Sequence, residues 1–133
     1  MKLVWSTLAL ALVTGTPAAG APASVRTVTQ HHNGKSLSLA RGDTLRVELE
    51  ANGTTGFGWE VAELPRNLKR ASDRYDAPRW ETSGPPIAGQ GGTQRFTFAA
   101  KAGGRGTLRL AYRQPWDRKA RPARSFRLWV VVR

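Results

Sequence analysis

The sequence predicts an all-β fold, a sandwich of about seven to eight antiparallel strands, and three observations predict it. Fourteen glycines and eight prolines in 133 residues call for frequent turns. Several short segments alternate apolar and polar residues with a period of two. No segment carries a sustained i, i+3, i+4, i+7 apolar stripe, so a helix bundle is excluded. The length suits a single domain with one core.

The chain opens on a leader rather than a strand. Met1 and Lys2 supply a positive start, and Leu3 to Val13 is apolar apart from Ser6 and Thr7. Small residues follow, and Ala21-Pro22-Ala23 fits a small-x-small cleavage site. The apolar run is about half of the roughly 20 residues a membrane span needs. The reading is therefore a secretory signal peptide over 1–23, a single domain over 24–133 beginning at Ser24, and export to the periplasm or beyond. No membrane span is left after its removal. A lipoprotein would need a cysteine at the cleavage point, and the chain has none.

The first strand is expected over Val25 to Gln30 and a short second one at Ser36 to Leu39. Leu45 to Glu50 alternates without a fault, placing Leu45, Val47 and Leu49 on one face. Trp59 and Val61 flank Glu60 in the next strand. Phe96 and Phe98 flank Thr97. Leu108, Leu110 and Tyr112 share a face, as do Phe126, Leu128, Val130 and Val132. Trp129 and Val131 fall on the other side of that last strand, which predicts cover on both faces. Strands this closely spaced suit an immunoglobulin-like sandwich or a small barrel.

Composition excludes several functions. Zero cysteines remove disulfides, thiolate zinc sites and cysteine nucleophiles together. His31 and His32 are the only histidines; as neighbours on a strand they would face opposite ways, and no carboxylates cluster near them. The formal net charge of +12 favours acidic partners or anionic surfaces but does not bear on fold.

Three connections exceed what a hairpin needs. Ala51 to Gly58 runs through Asn52-Gly53-Thr54-Thr55-Gly56-Phe57 instead of closing at Asn52-Gly53. Ser83 to Gly92 is uncharged and ends in Gly89-Gln90-Gly91-Gly92. Arg113 to Arg124 carries Gln114-Pro115-Trp116 on a basic segment. In an immunoglobulin-like sandwich the corresponding loops emerge at one end, where a rigid scaffold can present them as one surface.

These three segments together resemble the signature loops of chagasin-type inhibitors of papain-like cysteine peptidases, which read N-P-T-T-G-[YF], G-x-G-G and R-P-W in that order. The resemblance runs from Val25 to Val132. It implies a reversible, competitive inhibitor, not an enzyme, whose partner is a papain-like cysteine protease and which needs no cofactor or metal. It places Asn52, Gly53, Thr54, Thr55, Gly56 and Phe57 over the catalytic Cys–His pair, with Thr54 and Thr55 nearest the thiol. Gly89, Gln90, Gly91 and Gly92 would line one side of the cleft in extended fashion. Arg113, Gln114, Pro115 and Trp116 would supply the opposite side, with Trp116 as the aromatic anchor. Two positions depart from the pattern. Gly53 stands where the family has proline, which removes a preset φ. Gln114 stands where it has arginine, and Arg113 cannot substitute because neighbours at a strand end point to opposite faces.

Two other readings compete. A basic exported sandwich could bind nucleic acid or another anionic polymer, since Trp80 and Trp116 lie among arginines. The positive charge is spread over strands and loops, however, and an exported protein seldom meets nucleic acid. An adhesion module would explain the fold but not the three loop signatures. The glycine cluster lacks the G-K-[ST] ending of a phosphate loop. Nothing in the sequence demands a dimer, so a monomer is expected.

Overall fold

The computed structural model describes residues 23–76 and 91–133. The leader read at 1–23, save Ala23, lies outside them, as do Trp80 and most of the Ser83 to Gly92 connection, including Gly89 and Gln90. Eight strands are described: β1 (Val25–Val28), β2 (Lys35–Leu39), β3 (Thr44–Ala51), β4 (Gly58–Glu63), β5 (Leu68–Asp76), β6 (Gly92–Ala100), β7 (Gly104–Arg113) and β8 (Arg124–Val132). They form two four-stranded sheets, ordered β1-β3-β6-β5 and β2-β8-β7-β4. The central pairings are antiparallel, as expected, whereas β1 runs parallel to β3 and β2 parallel to β8.

The alternating residues meet between the sheets. Leu45, Val47 and Leu49 of β3 and Phe96 and Phe98 of β6 are buried from one side. Leu108, Leu110 and Tyr112 of β7 and Phe126, Leu128, Val130 and Val132 of β8 close on them from the other. Each such side chain contributes about 1.5–3 kcal/mol on burial, which offsets the chain entropy lost on folding. At the end of the sandwich away from the long loops, buried Asn67 donates from Nδ2 to the carbonyls of Gly104 and Val130 at 3.0 and 3.1 Å, pinning one sheet to the other.

Three local expectations are corrected. The first strand stops at Val28, and His31 and His32 belong to a 3₁₀ turn, Gln30–His32, not to a strand. Thr29 caps that turn, accepting from the His31 N–H, while its own N–H donates to His32 Nδ1 at 3.1 Å; this local bonding competes successfully with the ladder. β8 is fully covered on one face only: on the other, Trp129 is 41% exposed and Val131 half-buried. Finally, β5 has no counterpart in the sequence reading. Only Leu68 in it is buried, so its residues never alternate. It is an edge strand held by its ladder to β6 and by ion pairs: Arg70–Asp73 at 2.8 Å, Arg74–Asp76 at 2.9 Å and Arg95–Asp76 at 3.4 Å.

Candidate functional site

Strand register brings the three long connections to one end. Ala51 at the close of β3 pairs with Gly92 at the start of β6, so the first loop leaves where the second returns. Gly58 at the start of β4 pairs with Arg113 at the close of β7, which sets the third loop beside the first. Of the second loop, Gly91 and Gly92 are described and stand at this end.

The first loop is a single 3₁₀ turn, Gly53–Thr55, capped at both ends. Asn52 takes the N-cap position; its Oδ1 accepts from the Thr54 N–H at 3.1 Å and from the Thr54 hydroxyl at 2.6 Å. The Thr55 hydroxyl donates to the Asn52 carbonyl at 2.8 Å. Gly56 ends the turn with φ of +77°, a left-handed conformation that glycine adopts without strain. Both threonines are exposed, and their hydroxyls are spent on shaping the loop.

The third loop leans on the first. A Cβ on Gly56 would lie 2.5 Å from the Trp116 ring, so the indole rests directly on the Gly56 backbone. Trp116 is nonetheless 71% exposed, because only one side of it is covered. The Asp117 N–H donates to the Gln114 carbonyl at 3.0 Å, closing a turn in which Pro115 occupies the position that favours a preset φ. Arg113 pairs with Glu60 at 2.8 Å and donates to the Arg118 carbonyl at 3.1 Å. These two contacts tie the start of the loop to β4 and to its own far side. Gln114 is half-buried.

Beneath the loops lies an aromatic platform. The Phe57 and Tyr112 rings stack with centroids 5.5 Å apart, Trp59 tilts against Tyr112 at 5.1 Å, and the Arg124 guanidinium lies over both Trp59 and Tyr112. The Trp59 indole N–H donates to the Glu50 carbonyl at 2.9 Å. Gln94 of β6 clasps β4 of the opposite sheet: the Trp59 N–H donates to its Oε1 and its Nε2 donates to the Trp59 carbonyl, both at 2.8 Å. Two phenols hold the root of the first loop. The Asn52 N–H donates to Tyr112 Oη at 3.0 Å and the Gly53 N–H to Tyr75 Oη at 3.4 Å.

The structure thus gathers Asn52 to Phe57, Gly91, Gly92 and Arg113 to Trp116, while Gly89 and Gln90 lie outside the described residues. Sequence reasoning missed the supports Tyr75, Gln94 and Arg124, and it assigned Tyr112 to a strand without a role at the loops. Pairing register is the only signal that would have found them. Among the described residues no group of three or more His, Asp or Glu side chains could hold a metal ion. The edge offers hydroxyls, backbone and one indole, which suits occlusion and not proton transfer.

Comparison with known proteins gives the family and the fold. Residues 38–130 match the model of the family described as "Chagasin family peptidase inhibitor I42". The chain is 30% identical to chagasin of Trypanosoma cruzi over 108 residues, covering 77% of this chain and 94% of that protein. It is 29% identical to amoebiasin-1 of Entamoeba histolytica, covering 79% and 97%. Among solved structures, a cysteine protease inhibitor from Entamoeba histolytica superposes with a TM-score of 0.69 at 22% identity over 83% of this chain and 96% of that one, a likeness of fold. The solution structure of Amebosin matches at 0.64 with 30% identity, covering 84% and 99%.

Proposed function

The chain belongs to the chagasin family of peptidase inhibitors, a family of inhibitors and not of enzymes, and from that premise we propose that it blocks papain-like cysteine proteases by filling the active-site cleft with the three-loop edge. The observation that carries this reading is the exposed Trp116 seated on Gly56, which joins the first and third loops into one wedge. The Thr54-Thr55 segment stands at its tip without a large side chain to enter a specificity pocket. Inhibition is accordingly competitive and reversible, and the loop is not processed as a substrate. Exposed Gly91 presents backbone for pairing along one wall of the cleft, with Gly92 buried behind it at the head of β6, and Trp116 anchors the other. The partner is met by a single copy of the inhibitor, without cofactor. A leader over 1–23 and export to the periplasm or beyond belong to the same proposal, supported by the charge, apolar run and small-residue site of that segment; N-terminal sequencing of the protein recovered outside the cytoplasm tests them.

The deciding experiment titrates the 24–133 chain against papain and follows both partners overnight by mass spectrometry. Intact inhibitor, a competitive pattern and full recovery of activity on dilution are the expected results. Cleavage within Asn52 to Phe57 with slowly returning activity would replace the wedge with a substrate-like mechanism. Absence of inhibition would overturn the proposal.

A further inference from the structure

Both tyrosines of the chain end at the root of the first loop, one from each sheet. Tyr112 of β7 takes the Asn52 N–H and Tyr75 of β5 takes the Gly53 N–H, so two consecutive amides hang on two phenol oxygens. Tyr75 also fits against glycine on two sides. A Cβ on Gly53 would meet its ring at 3.3 Å, and a Cβ on Gly92 would come within 2.6 Å of its oxygen. Gly92 begins β6, where the second loop returns. The Tyr75 ring therefore sits between the roots of the first two loops, and its oxygen together with the Asp76 carbonyl leaves no room for a side chain at Gly92.

We infer that Tyr75 is a positioning residue of the inhibitory edge and that Gly53 and Tyr75 are a matched pair, doing by a side-chain contact from β5 what the family's proline does by covalent restraint. The inference rests on the inhibitory reading above. A proline at 53 suits the backbone around it. Asn52 has φ −110° and ψ 96°, close to the extended region required before proline, and position 53 opens a helical turn, where proline is favoured. Proline has no N–H, however, and its ring adds atoms on the side where Tyr75 already lies within van der Waals distance. Either device can order the loop, but the two cannot be used at once. This accounts for the glycine as more than a loss. Without a restraint from outside, glycine at the head of a binding loop would have to be ordered at the moment of binding.

The test is a double-mutant cycle read in two ways. Inhibition constants are measured for the unmodified chain, Tyr75→Phe, Gly53→Pro and the pair, and amide hydrogen exchange at Gly53 is followed by NMR in the free protein. Tyr75→Phe keeps the ring and removes the acceptor. It is expected to speed exchange at Gly53, to weaken inhibition by roughly three- to tenfold, as the loss of one hydrogen bond implies, and to leave the melting midpoint within a degree or two. With proline at 53 the same change should alter inhibition less than about twofold, because the donor is already gone. Unchanged exchange at Gly53 in Tyr75→Phe, or effects that simply multiply in the pair, would overturn the inference. If the unmodified chain fails to inhibit, the functional reading falls by itself, and exchange at Gly53 still decides whether Tyr75 holds the loop.

Discussion

Trp116 shows 71% of its surface to solvent and Trp59 shows 5%, although the two rings stand at the same end of the sandwich. Their substitution should separate binding from stability. Trp116→Ala is expected to weaken inhibition by about 2 kcal/mol or more, roughly thirtyfold, with little change in melting. Trp59→Ala should cost about 3 kcal/mol or more of stability, since it empties the platform under Tyr112 and frees Arg124. Denaturant melts and inhibition constants on both variants check this; the reverse pattern would mean that the wedge and its support had been exchanged. Asp43 carries a residue-scale prediction about pH. The backbone N–H of Ser24, then that of Ala40, at 3.0 and 2.8 Å, hold its carboxyl below the usual carboxylate range. A carboxyl whose value falls on folding stabilises the fold above its unfolded value of about 4, and that contribution is lost as pH drops through the folded value. Asp43→Asn should therefore melt below the unmodified chain at pH 7, with the gap closing under acid. A gap that persists at pH 2 would assign the effect to packing instead of charge.

Among elements, Gln94 links the sheets where the wedge is mounted. Gln94→Leu leaves the Trp59 N–H and carbonyl without their partner and should cost about 1–3 kcal/mol, measurable by denaturant unfolding, while loosening the first strand after the loop. An unchanged midpoint would show that water replaces the amide at no cost. Strands β3, β4, β6, β7 and β8 were legible because each buries one face, and burial is what alternation records. β5 was not. Its Lys-Arg-Ala-Ser-Asp-Arg-Tyr-Asp run is exposed almost throughout, and pairing with β6 through backbone leaves no trace in side-chain polarity. The same cause hid Tyr75. The first and third loops stood out in the sequence by their motifs, whereas Tyr75, Gln94 and the link between Asn52 and Tyr112 depend on which strands lie side by side. The parallel attachment of β1 and β2 was equally silent, since a half-buried edge strand reads alike in either direction.

At the scale of the whole molecule, cohesion rests on the layer between the sheets, with no cysteine available to help. Chelator or reductant should leave the melting midpoint of the 24–133 chain unchanged, and a large fall with EDTA would reveal a cation that the core reading omits. The sheet order carries one more consequence, which concerns time. β8 lies between β2 and β7, so the second sheet is split until residues 124–132 have been made. A growing chain cannot assemble half of its core, however much of the first sheet has already left the ribosome. Pairings this distant along the chain are slow to form, because the loop-closure entropy is lost before any contact compensates it. The nascent protein consequently stays open until β8 has been made, and a polypeptide in that state can still be threaded through a narrow pore.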